Sequence, residues 1–142
     1  MSGALINTND INTNLDQNNI ISTSTEIIST STTNKVNNDI ESKVKTYFSD
    51  TPIMQKIAYC ESRNRQFDTD GSVIRGVVNS KDVGIFQINE KYHLSDSQKM
   101  GMNIHSVEGN MKYAKHLYDT QGTRPWNSSK PCWGNADKLA LK

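Results

Sequence analysis

Glu61 is the residue best placed to do chemistry. Helical spacing puts Ile53, Met54, Ile57, Ala58 and Glu61 on one stripe, so an apolar helix face ends in a carboxyl group. Ile57 and Ala58 lie one turn back, and the partial negative charge of the helix C-terminus lies close by. Desolvation and that dipole both disfavour the carboxylate and raise its pKa above the usual glutamate value of about 4.3. A glutamic acid still protonated near neutrality is a general acid, the chemistry that glycoside cleavage requires. Position alone leaves a second reading open, in which residue 61 turns to solvent or pairs with Arg63 or Arg65.

Other clusters carry less. Asp68-Thr69-Asp70-Gly71 contains part of a calcium-loop pattern, but the register that puts Gly71 at position six leaves Gln66 at position one and Val77 at position twelve. A turn is the better reading, with Asp68 or Asp70 as secondary candidates for a cleft. His93, His105 and His116 have no paired spacing and read as surface or core side chains. Cys60 and Cys132 lack any Cys/His ligand spacing, which counts against zinc, and no metal or organic cofactor is expected. They are either a disulfide or two buried thiols. A bridge would fasten the tryptophan-bearing segment 124–134 beside the helix that carries Glu61.

The chain divides by composition. Residues 1–40 hold 21 Ser, Thr or Asn, no aromatic residue and no proline, and they contain near-repeats such as Ile20-Ile21-Ser22-Thr23-Ser24-Thr25 and Ile27-Ile28-Ser29-Thr30-Ser31-Thr32. Such a segment buries too little apolar area to offset roughly 1–2 kcal/mol of backbone entropy per residue, so it reads as a disordered linker or tether. A small β-rich element is the alternative. Residues 41–142 then form the folded domain, with 15 basic residues against 11 acidic ones beyond residue 40. That excess suits an anionic polymer such as a bacterial wall and is too small to argue for nucleic acid. No apolar run reaches the 18 or so residues of a membrane span, and Met1 to Asp10 lacks the regions of a secretory signal. A monomer is expected.

The elements that must position Glu61 follow from the hydrophobic period. Ile40, Val44, Tyr47 and Phe48 predict a helix over 40–49, and Pro52 suits the first turn of a second helix capped by Asp50 or Thr51. Val73–Val78 and Val83–Ile88 predict the strands of a hairpin, separated by Asn79-Ser80-Lys81-Asp82. Ser95 with Gln98 predicts a capping box, with Gly101 as the stop. A further helix starts near Ser106, buries Met111, Ala114, Leu117 and Tyr118, and ends at Gly122. The last stretch, Arg124 to Gly134, shows no period and holds Trp126 and Trp133.

Three motifs recur in a known order. Glu61-Ser62, then Gly84-Ile85-Phe86-Gln87-Ile88-Asn89, then Asn110 on a helix running to Tyr118, resemble the signature of the lytic transglycosylase and goose-type lysozyme superfamily over about residues 52–134. The resemblance implies a mostly helical α+β, lysozyme-like fold with a small β-hairpin lining a glycan cleft. It implies a muramidase that cuts the β-1,4 bond between N-acetylmuramic acid and N-acetylglucosamine in peptidoglycan, with Glu61 as the single general acid and base. It further implies that Ser62, Gln87, Asn89, Asn110 and Tyr118 bind glycan strands, with Gly84 letting the backbone approach the ligand, and that the protein is extracytoplasmic; Asn110 as a structural cap and Tyr118 as core are the alternatives. Asp82 falls where goose-type lysozymes hold a water-positioning acid; it is equally good turn chemistry. Apart from the resemblance, Trp126, Trp133, Tyr92 and Tyr118 are candidates to stack on sugar rings, with Trp126 the tryptophan expected to bind substrate and the core as the alternative place for either tryptophan. A glycan-binding module of the same fold without turnover is the alternative function.

Overall fold

The computed structural model describes residues 35–135, so the expected tether lies outside the described residues as far as residue 34. Helix α1 covers residues 35–47 and begins ahead of the expected residue 40. Its polar early turns are laced by the exposed pairs Asp39–Lys43 and Glu41–Lys45, each four residues apart and adding a few tenths of a kcal/mol. Ile40, Val44 and, just past the helix, Phe48 are fully buried along one stripe, which fixes the helix to the core.

Helix α2, Pro52–Ser62, starts with proline at its first turn and ends where Arg63 adopts the left-handed region with φ 60°. Met54, Ile57 and Ala58 are buried on the predicted stripe, so Glu61 sits in the last turn on the face that meets the rest of the chain. Two short strands follow, β1 (Asp82–Val83) and β2 (Ile88–Asn89), paired antiparallel with Asp82 opposite Asn89 and Val83 opposite Ile88.

The hairpin is smaller than the sequence predicts. Of the expected strand 73–78, only Val73 and Arg75 form single bridges, to Phe67 and Val83, and Val77 and Val78 are fully exposed in a loop. The expected strand 83–88 is broken by a turn over 84–87, where Gly84 has φ 72° and Gln87 φ 47°. That turn drives Ile85 and Phe86 into the core instead of along a ladder. Phe86 packs edge-on to Phe48 with ring centroids 5.3 Å apart and lies 5.9 Å from Trp126.

Helix α3, Glu90–Lys99, starts at Asn89, whose side chain accepts from Lys91 N at 3.1 Å. The Ser95–Gln98 capping box therefore does not form; both residues are inside the helix. Glu90, in the first turn, binds Arg75 at 2.8 Å and His105 at 3.0 Å, tying the loop before β1 to the approach to α4. Helix α4, Val107–Gln121, is capped as predicted by Ser106, which accepts from Gly109 N, and it stops at Gly122 with φ 64°. The aperiodic end of the sequence is a 3₁₀ helix, Arg124–Ser129, running into α5, Lys130–Trp133, each with proline in its first positions.

The described residues are thus mostly helical with one two-stranded antiparallel sheet. Helix α2 packs on the 3₁₀ helix and on α5, and the Cys60–Cys132 disulfide joins α2 to α5. No helix among the described residues is long and apolar enough to cross a membrane.

Candidate active site

The turn over 84–87 is held by four buried side chains. Gln66, fully buried, accepts from Ile85 N at 3.0 Å and donates to Ile104 O at 3.2 Å. Asn110, also fully buried, accepts from Phe86 N at 3.0 Å and donates to Val83 O at 3.1 Å and Ile104 O at 2.8 Å. Ser62 Oγ donates to Ile85 O at 2.8 Å, and Trp126 Nε1 donates to Phe86 O at 3.0 Å. A buried turn needs these partners because no ladder satisfies its backbone. Gly84 is required at its position: a Cβ there would overlap the side-chain amides of Gln66 and Asn110.

Those contacts correct three expected roles. Ser62 and Asn110 are buried and spend their polar atoms on the chain, so they frame the site instead of touching a ligand. Gly84 admits two side chains, not a substrate. Replacing Asn110 by Ala strands Phe86 N–H and Val83 C=O in the core. We expect a stability loss of about 2–3 kcal/mol, read as a lower melting midpoint; an unchanged midpoint would refute this framing role.

Glu61 faces a cleft of about 290 Å³, near the lower end of small-ligand sites, which span roughly 300–1,000 Å³. Its carboxyl is partly buried, and burial raises its pKa above the ordinary 4.5. A hydrogen bond from Ser129 Oγ to Oε1, at 2.5 Å, opposes that rise, and the negative charge of Asp82 adds to it. Larger hollows of about 470 and 580 Å³ run along α1. Their carboxylates are an exposed Glu108 and a Glu41 paired with Lys45, so volume does not locate the chemistry. At Asp70 and Glu90 hydrogen bonds outweigh burial and lower the pKa, whereas at Glu61 burial outweighs the hydrogen bond and raises it.

Asp82 lines the same cleft. Its Oδ1 accepts from Asn89 Nδ2 at 2.7 Å and Asn79 Nδ2 at 3.3 Å, which holds the carboxylate across the hairpin; Oδ2 has no partner among the described residues. Asn89 spends one amide atom on Asp82 and the other on the cap of α3, so it lines the cleft as a support. Gln87 lines it too, its Nε2 bonded to Gly84 O at 2.9 Å. Tyr92 stands on the rim, 69% exposed. The chain shows no match to protein-family models, curated proteins or solved structures.

The aromatic expectations divide. Trp126 reaches the cleft wall but is only 3% exposed, so it is a buried strut more than a stacking face, and Trp133 is core. Tyr118 packs partly buried against the core and does not line the cleft with Glu61. Tyr92 alone of these offers an open ring. Asp68 and Asp70 cap their own turn, accepting from Thr69 N at 2.8 Å and Ser72 N at 2.9 Å, as turn chemistry predicts.

Three participants carry no motif. Gln66 is an isolated polar residue after the left-handed pair Arg63 and Asn64, and nothing in its spacing marks it as buried. Ser129 lies in the stretch without period. His93, read as surface or core, lines the cleft with Nδ1 3.1 Å from Tyr113 Oη, and burial pushes its pKa down, which favours the neutral ring.

Proposed function

We propose that the protein cleaves the β-1,4 bond between N-acetylmuramic acid and N-acetylglucosamine in peptidoglycan. The observation that carries this is a partly buried carboxyl, Glu61, at the end of an apolar helix stripe and lining a cleft together with Asp82, the amides of Gln87 and Asn89, and the exposed Tyr92. The order of motifs resembling lytic transglycosylases and goose-type lysozymes supports the same reading, and with it a lysozyme-like fold. In this mechanism Glu61 gives its proton to the bridging oxygen and the bond from the muramic anomeric carbon to that oxygen breaks. Positive charge develops on the sugar carbon.

The carboxylate left behind then takes a proton from the incoming nucleophile. A water positioned by Asp82 yields a reducing end, whereas the 6-hydroxyl of the same muramic acid yields a 1,6-anhydro end. Asp82, gripped through Oδ1 with Oδ2 open, suits the water route. A disulfide and a wall substrate both belong to an extracytoplasmic setting.

The pH dependence follows in sign from Glu61. The acid works only while protonated, and burial raises its pKa, so muropeptide release declines as pH climbs through that raised value. Initial rates across a pH series at fixed ionic strength test it. A rate that instead climbs through neutrality into the alkaline range would contradict a protonated Glu61.

A further inference from the structure

Ser129 Oγ sits at the junction of three groups. It lies 2.5 Å from Glu61 Oε1 and 3.1 Å from Trp126 O, and it accepts from Trp133 Nε1 at 3.0 Å. The hydroxyl has one hydrogen and two acceptors within reach, while the indole N–H fixes one of its lone pairs. Glu61 Oε2 has no hydrogen-bond partner among the described residues. The two oxygens of the candidate acid are therefore unequal.

We propose that Ser129 is a positioning residue that makes Oε1 the fixed acceptor of Glu61 and so assigns the transferable proton to Oε2. The inference rests on reading Glu61 as a general acid. In the neutral acid, Ser129 donates to the carbonyl oxygen Oε1, and the proton on Oε2 is free for the bridging oxygen of the glycoside. When that proton leaves, the same O–H···O contact becomes a bond to a carboxylate. Hydrogen bonds to charged acceptors are about twice as strong as neutral ones, so this contact gains strength as the proton departs. An interaction that strengthens along the reaction lowers its barrier, whereas uniform binding does not.

The arrangement is built by the chain, not by chance contact. Trp133 Nε1 also reaches Trp126 O at 3.0 Å, so the hydroxyl is oriented by a buried indole anchored in the core. Cys60 and Cys132, each within three residues of one partner in the Glu61–Ser129 pair, are joined covalently. Other titratable side chains of the cleft are Asp82 on β1 and Tyr92 and His93 on α3; Lys130, next to Ser129 in sequence, and Arg124, five residues before it, are exposed.

The test combines a titration and a rate. Carboxyl carbon NMR of Glu61 is followed against pH in the wild type, in Ser129→Ala, and in Ser129→Cys, which keeps the size but donates weakly. Loss of the donor moves the Glu61 midpoint to higher pH, with Cys between Ser and Ala. On sacculi, Ser129→Ala lowers kcat about ten-fold with KM unchanged, and the alkaline fall of the rate moves up in step with the midpoint. A serine that merely packs would lower stability, with no movement of the midpoint. A midpoint that stays put in both variants overturns the assignment. The cleavage reading fails separately, if the wild type releases no muropeptides; the titration still reports on the serine in that case. Should Ala not fold, the Cys variant alone decides.

Discussion

Glu61→Gln releases no soluble muropeptides from sacculi above a background some 10²–10⁴-fold below the wild type, while still sedimenting with the wall. Gln keeps the size of the side chain and leaves an oxygen to accept from Ser129, so the cleft is preserved and only the transferable proton is removed. The same substitution has a second signature, in stability. A carboxyl whose folded pKa is raised stabilises the fold fully below its unfolded pKa, and that contribution is lost as pH rises through the folded value. At neutral pH the wild type holds a partly buried group that prefers to be uncharged, and Gln relieves it. The variant should therefore melt higher than the wild type at neutral pH, with the gap closing in acid. Equal muropeptide release by the two proteins would remove Glu61 from the mechanism. Wall binding by both with release by neither would favour a glycan-binding module.

Removing the Cys60–Cys132 bridge has the largest expected effect on stability. The bond spans 72 residues of sequence and connects the helix carrying Glu61 to the one that follows Ser129. Opening so long a loop costs about 2–5 kcal/mol. At roughly 4–8 °C per kcal/mol for a domain of this size, the double Cys→Ser variant should melt some 10–30 °C lower. Activity should fall before the fold does, because the 3₁₀ helix and α5 meet the rest of the chain chiefly through α2 and α4 and carry both Trp126 and Ser129. Reductant titration read by tryptophan fluorescence, melting and muropeptide release separates the two transitions. A melting point unmoved by reduction would show that packing alone holds the carboxy-terminal helices.

The helices were legible because their signals are local. Met54, Ile57 and Ala58 define the buried face of α2 by period alone, and Ser106 and Gly122 mark the ends of α4. Glu61 could be placed at a helix terminus for the same reason. The hairpin misled because Val83 to Ile88 are β-rich in type, yet Gly84 and Gln87 take positive φ and turn two apolar residues inward. Tertiary partners, not propensity, decide that backbone. Asn110 and Ser62 read as ligand contacts in the sequence because a polar residue in a motif gives no sign of which way it faces. Their satisfaction by Phe86 N, Val83 O and Ile85 O depends on residues 23 to 27 positions away. Ser129 and Gln66 are silent for that reason as well: the partners that give them meaning, Glu61 and Ile85, lie 68 and 19 positions away and leave no periodic trace.

The bonds that close the turn below the cleft join residues from 62 to 126. Each ties the turn to a residue 19 to 40 positions away, so the turn takes this shape only when α2, α4 and the 3₁₀ helix have docked around it. The cleft beside Glu61 is therefore a product of the whole folded domain, and no single segment of sequence carries it alone.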